Sequence, residues 1–163
     1  MNNLDNRTKD IPRFVVDVML GSLARWLRRL GYDTDYVNQR DDPELARVAR
    51  AEQRVLLTRD RELADRRGVR SLLIESTELR DQLAQVVSAF PLPDGEDQQR
   101  CSLCNTLLVT PAHEEVQAEV PPYVYRHHRR FRRCPTCGRV YWQGTHWKKM
   151  EDQLRRMLGK QSP

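Results

Sequence analysis

Three aspartates at the ends of short apolar runs, and four cysteines in two C-x-x-C pairs, are the residues of this 163-residue chain whose types and spacing could do chemistry. Asp17 follows Phe14-Val15-Val16, Asp60 follows the run Val55-Leu56-Leu57-Thr58 by one residue, and Asp42 opens a helix with Pro43 behind it. Carboxylates brought together without a counter-ion repel, which costs stability unless a cation sits among them. Mg²⁺ and Mn²⁺ suit an all-oxygen set and keep several waters. An ion held this way can generate hydroxide, polarise a phosphoryl oxygen and stabilise a leaving alkoxide. Phosphodiester hydrolysis is therefore the chemistry expected of Asp17, Asp42 and Asp60, as metal ligands and catalytic residues alike. Glu75 offers a further acid, with Glu44 and Asp81 as rivals, and Arg59 stands beside Asp60 where it could reach a substrate phosphate. The plainer readings are a helix cap or turn carboxylate for Asp17 and a solvated surface side chain for Arg59.

The cysteines are Cys101, Cys104, Cys134 and Cys137, with no others in the chain. Two short C-x-x-C turns each deliver two thiolates to a tetrahedron, which points to structural Zn²⁺. Binding energy then replaces a core that so small a segment cannot build. A thioredoxin-type redox site would need one such pair beside a βαβ unit, whereas here both pairs sit together downstream. The 29 residues between the pairs predict a ribbon with a long hairpin or loop.

Strand-like and helix-like segments alternate around the aspartates. Phe14 to Val16 reads as a strand covered on both faces, and Leu20, Leu23, Ala24, Leu27 and Leu30 fall at helical spacing before the stop at Gly31. A strand at Asp35-Tyr36-Val37, a helix from Asp42, a strand from Arg54 to Thr58, a short helix, a strand from Val69 to Ile74 and a helix capped by Ser76 or Thr77 follow. Such alternation predicts an α/β fold with a parallel sheet flanked by helices over residues 11–92. The run Pro91 to Asp97, with two prolines and a glycine, marks a linker across residues 93–99. Residues 100–160 are left for the four-cysteine ribbon and a closing helix. Met150, Leu154, Met157 and Leu158 make that helix's apolar stripe, predicted to dock on the first domain, and Tyr141, Trp142 and Trp147 are expected to pack the ribbon against its neighbour.

Charge is segregated. Residues 1–98 carry 16 Lys+Arg against 18 Asp+Glu, a net −2, while residues 99–163 carry 12 against 5, a net +7. A basic segment of this kind fits a polyanion, most simply RNA. Between the cysteine pairs, the stretch from Tyr123 to Arg133 interleaves aromatics with Arg126, Arg129, Arg130, Arg132 and Arg133, which suits phosphates and unpaired bases together. Arg25 and Arg28 on the first helix extend the RNA-contacting set. Met1-Asn2-Asn3-Leu4-Asp5 is polar and no window approaches a membrane span, so a cytoplasmic location is expected.

Asp17-Val18-Met19-Leu20-Gly21, Leu23 to Arg28, Asp41-Asp42, Leu57 to Arg61, Cys134 to Trp142 and Gly144 to Trp147 together resemble the RNase family named for the carboxy-terminal domain of the Mut-seven exonuclease. The likeness implies a PIN-like nuclease fold with an appended zinc ribbon, metal-dependent ribonuclease activity, and ligand roles for Asp17, Asp42 and Asp60. Val18 and Ser22 depart from the family pattern, which favours glycine and lysine there. The expected function is hydrolysis of RNA (tRNA, rRNA or mRNA) at an acidic Mg²⁺ or Mn²⁺ site, with the basic ribbon contacting the substrate. The competing class is a non-catalytic RNA- or ribosome-binding zinc-ribbon protein. A phosphatase with an aspartyl nucleophile is disfavoured, because Asp17-Val18-Met19 has no second acid two residues on.

Overall fold

Four parallel strands form the amino-terminal sheet: β1 (Phe14–Val16), β2 (Thr34–Asp35), β3 (Val55–Thr58) and β4 (Ser71–Leu73), in the order β2-β1-β3-β4. The computed structural model describes residues 11–157, so Met1 to Asp5 and Leu158 lie outside the described residues. Side chains alternate across the sheet with the period of two that a strand imposes. Phe14, Val16, Val55 and Leu57 face α1 (Gly21–Leu30) and α4 (Leu79–Ala89), packing with Leu23, Leu27, Leu83 and Val86. Val15 and Leu56 face the opposite layer, where α2 (Asp42–Ala51) and α3 (Arg61–Ala64) contribute Leu45, Val48 and Leu63. The unbroken apolar runs of β1 and β3 follow from this two-sided burial.

The order of strands fixes where a site can form. The chain leaves β1 for β2 on one side, then crosses back to β3 on the other. A topological switch therefore lies between the carboxyl ends of β1 and β3, where open α/β sheets leave a crevice. Parallel strands also force each connecting helix to run back from carboxyl to amino edge, so α2 and α3 both begin at the carboxyl edge.

Several local expectations shift. The second strand is Thr34–Asp35 rather than Asp35 to Val37, because Phe14 and Val15 pair with Thr34 and Asp35 and the chain then turns away. Asp41, not Asp42, caps α2, its side chain accepting from the Glu44 N–H at 2.9 Å. Neither Ser76 nor Thr77 caps α4; Glu78 holds that position without a side-chain bond, and Ser76 Oγ accepts from the Glu78 N–H instead. The span between the cysteine pairs is no simple hairpin. It contains a short helix, α5 (Pro122–His127), before the antiparallel pair β5 (Phe131–Arg133) and β6 (Val140–Trp142). No helix among the described residues is long and apolar enough to cross a membrane.

The carboxy-terminal part is fastened to the amino edge of the sheet. α6 (Thr145–Met157) places Met150 and Leu154 in the core shared with α1 and α4, as its stripe predicts, but Met157 is 56% exposed. Trp147 stacks on Trp26 at 4.8 Å, and the Arg29 guanidinium lies 4.5 Å from the rings of both Trp147 and Tyr141. Arg28 is only 6% exposed. Its Nε donates to Thr34 O at 2.9 Å and a terminal nitrogen to Ser102 O at 2.8 Å, joining α1, the edge strand and the first C-x-x-C turn. Asn105 completes the join: its Oδ1 accepts from the outward Thr34 N–H and its Nδ2 donates to Asp33. The open edge of β2 is thereby covered, which natural sheets require of an edge strand. Burial lowers the Arg28 pKa, while Asp35, Cys101, Cys104 and Asp33 oppose that effect. Gly31, at φ 108, ends α1 where a Cβ would meet Pro93 and Gln98 at 3.0 Å.

Arg28→Ala removes a donor from the carbonyls of Thr34, Ser102 and Leu103 at once and should cost about 2–4 kcal/mol. Urea unfolding of the zinc-loaded protein measures it; a loss below about 1 kcal/mol would show that Arg28 does not hold the two parts together.

Candidate functional site

Asp17 closes β1 with its backbone N–H on Leu57 O, so its carboxylate stands at the switch point between β1 and β3. It is 4% exposed. One oxygen, Oδ1, accepts from the Val18 N–H at 2.7 Å, and the other, Oδ2, from the Thr58 hydroxyl at 2.7 Å. The same Thr58 Oγ1 accepts from the Asp60 N–H at 3.0 Å. One hydroxyl thus ties the end of β1 to the turn after β3.

Asp60 caps α3, with Oδ1 accepting from Glu62 N–H at 2.9 Å and Leu63 N–H at 3.3 Å. The plain capping role is real, and it leaves Oδ2 without a protein donor among the described residues. Asp42 is the first residue of α2 and is half-buried. Because Asp41 does the capping, the Asp42 carboxylate is not committed to the helix end. Topology brings all three aspartates to the carboxyl edge, and no lysine, arginine or histidine nitrogen lies within ion-pair distance of them among the described residues. A buried carboxylate with donors but no cation is the environment an oxygen-seeking divalent ion fits. Their oxygens are less tightly gathered than the cysteine sulfurs, which form the one group of three or more such ligand atoms found among the described residues.

Glu75 is exposed and follows β4, the outer strand, roughly 10 Å from β1 at the usual strand spacing. Its N–H donates to Gln85 Oε1. Arg59 is exposed beside Asp60, and Arg25 is exposed on α1. Arg28 does not stand at the surface where an RNA contact needs it, for the reasons of packing given above. In the ribbon, Arg132 is engaged by Thr110 and by the carbonyls of Glu96 and Leu108, and Arg133 by Glu115 and Glu119. Arg126, Arg129 and Arg130 remain exposed, Arg130 with Glu96 at 2.7 Å.

The four cysteine sulfurs all lie within 4.8 Å of one another. Cys101 Sγ and Cys137 Sγ are 3.8 Å apart. Arms of about 2.3 Å in a tetrahedron set sulfurs about 3.8 Å apart, so the donor set fits Zn²⁺. The same turn is built twice. Asn105 and Gly138, each following the second cysteine of its pair, take φ 63 and φ 78, and each donates its N–H to the first cysteine's carbonyl at 2.9 Å. Glycine and asparagine are the residues that adopt this conformation at least cost. Burial would raise the Cys101 thiol, but hydrogen bonds from Tyr141 and from the Cys104 and Leu103 backbone outweigh it and bring the thiol down to about 7. Burial and the neighbouring sulfurs push Cys104 up to about 12.

A sequence model described as the Mut7-C RNAse domain matches residues 12–154, taking in the aspartates, all four cysteines and most of α6. The chain belongs to the Mut7-C RNAse domain family. No curated protein and no solved structure matched it. In this Mut7-C domain, three residues carry more of the geometry than the sequence reading assigns them. Thr58 reads as the end of a strand and Tyr141 as ribbon packing, although Tyr141 Oη lies 3.1 Å from Cys101 Sγ, and Asn105 falls in no motif. A hydroxyl ending the strand beside the one that carries Asp17 was the clue available for Thr58.

Purified protein should carry one zinc per chain by emission spectroscopy. Cys101→Ser and Cys134→Ser should abolish it and unfold the ribbon, whose apolar clusters are small. Retention of the ribbon's fold in the metal-free variants would contradict a structural metal.

Proposed function

We propose that the chain hydrolyses RNA phosphodiester bonds at a divalent Mg²⁺ or Mn²⁺ centre held by Asp17, Asp42 and Asp60. The observation that carries this reading is the buried Asp17 carboxylate at the β1/β3 switch point, joined to Asp60 through Thr58 and paired with no cation among the described residues. An ion bound there would supply Lewis acidity and a water of lowered pKa.

The chain's own residues do the rest. The Thr58 hydroxyl and the Val18 N–H fix both Asp17 oxygens, so the ligand lone pairs point in set directions. Capping of α3 by Asp60 Oδ1 leaves its other oxygen for the crevice. Tyr36 Oη donates to Val18 O at 2.8 Å and holds the turn after Asp17 in place. Arg59 lies where it can meet a non-bridging phosphate oxygen; Arg25, Arg126, Arg129 and Arg130 offer phosphate contacts further out. No side-chain nucleophile would be needed, since an ion held by Asp17, Asp42 and Asp60 would supply an activated water. The zinc is structural in this reading, since four thiolates leave no open coordination position.

Divalent-dependent cleavage of single-stranded RNA tests the proposal. Asp17→Asn and Asp60→Asn should each lose about 100-fold or more. Thr58→Val, which keeps shape and removes the hydroxyl, should lose about 10–100-fold and raise the metal concentration for half-activity. Cleavage undiminished in both aspartate variants would reject the assignment; none in the native protein under any divalent ion would favour a non-catalytic RNA-binding protein.

A further inference from the structure

Arg28, Arg132 and Arg133 are committed to the fold, so the chain's unpaired positive charge lies elsewhere. The end of α5 and the first turns of α6 face each other across an open cleft of about 460 Å³. Arg129 and Arg130 line one wall, Lys148 and Lys149 the other, and Asp152 is the single acid in the lining. Arg130 holds Glu96, but no carboxylate pairs with Arg129, Lys148 or Lys149 among the described residues. Like charges converging from segments about twenty residues apart repel, and a ligand with several negative charges relieves that repulsion.

The cleft also has a flat rim. His127 lines it, and the Tyr123 ring stacks on His127 with centroids 4.0 Å apart and planes at 27°. The imidazole is held by its Nδ1 contact with Tyr123 O at 2.8 Å, and Tyr123 is 63% exposed. An inorganic polyanion or a duplex would use the cations alone. An unpaired base would use the ring platform as well, which selects single-stranded nucleic acid.

The position of the cleft gives the ligand a direction. His146, in the first turn of α6, packs edge-on to Trp26 of α1 at 5.9 Å, and both line a smaller hollow with Arg25. Arg25 is one helical turn, about 6 Å, from the start of α1 at the carboxyl edge. A strand leaving the aspartates along α1 meets Arg25, then His146, then the cleft.

We propose that this cleft is a second RNA site, remote from the acidic centre, which takes single-stranded RNA with its phosphates among Arg129, Lys148 and Lys149 and a base on the Tyr123–His127 platform. The direction of the strand rests on the nuclease reading; binding in the cleft does not.

Fluorescence anisotropy of a labelled twelve-nucleotide single-stranded RNA with the zinc-loaded full chain carrying Asp17→Asn, so that the RNA stays intact, tests this at several salt concentrations. Replacing Arg129, Lys148 and Lys149 by alanine should weaken binding at least tenfold. It should also flatten the slope of log affinity against log salt by about 2, since each single-strand phosphate contact contributes about 0.7. Tyr123→Ala should weaken binding about fivefold or more with the salt slope unchanged. Unchanged affinity in the triple variant overturns the proposal. Inorganic polyphosphate or duplex RNA binding as tightly, with Tyr123→Ala silent, overturns the single-strand assignment. Binding as expected beside a native protein that cleaves nothing would sink the nuclease reading and leave the cleft standing.

Discussion

A carboxylate buried at the end of a central strand has to be compensated, and the way Asp17 is compensated organises this molecule. Two donors reach it, from Val18 N–H and Thr58 Oγ1, and no cationic side chain does among the described residues. Neutral donors steady an anion without discharging it. The strand order supplies the reason for the location: β1 and β3 are neighbours whose onward connections diverge, the arrangement at which open α/β sheets form a crevice. Thr58 then makes the two strand ends a single unit, since one hydroxyl serves both Asp17 and Asp60.

The second constraint works from the opposite edge. The cysteine module has only small apolar clusters, so the contacts it makes with the sheet and α1, and a sulfur set able to hold a metal, matter to its order. It grips the amino edge of the sheet through Arg28 and Asn105, and α1 through the layered stack of Trp26, Trp147, Arg29 and Tyr141. Burial lowers the pKa of Arg29 as it does that of Arg28, with Tyr141 and Cys101 opposing it. The cysteine cluster and the Asp17 carboxylate thus lie towards opposite edges of the sheet. Between them runs α1, a helix of ten residues and about 15 Å.

Much of this was legible in the sequence because it rests on patterns with a short range. Apolar runs and helical spacing gave the strand–helix alternation, and the C-x-x-C pairs gave the sulfur cluster. Asp17 and Asp60 stood out because they fall where strands end. What the sequence hid depends on contacts across long separations. Arg28 reads as one more base on a polar helix face until Ser102, 74 residues on, comes to meet it. Arg132 and Arg133 look like RNA contacts in a basic run, yet acids and carbonyls from the preceding loops claim them. Met157 fits the periodicity of a buried stripe, but its helix has run past the core by then. The helix at Pro122–His127 departs from the hairpin or loop that the spacing of the cysteine pairs predicts, although Pro122 marks a helix start.

The most direct test of the central claim is where a divalent ion binds. Crystals of the zinc-loaded protein soaked in Mn²⁺ should show an anomalous peak touching Asp17 and Asp60, with Asp42 facing it, and the peak should vanish in Asp17→Asn. Manganese found only at scattered surface carboxylates, with the crevice between β1 and β3 holding none, would contradict the account.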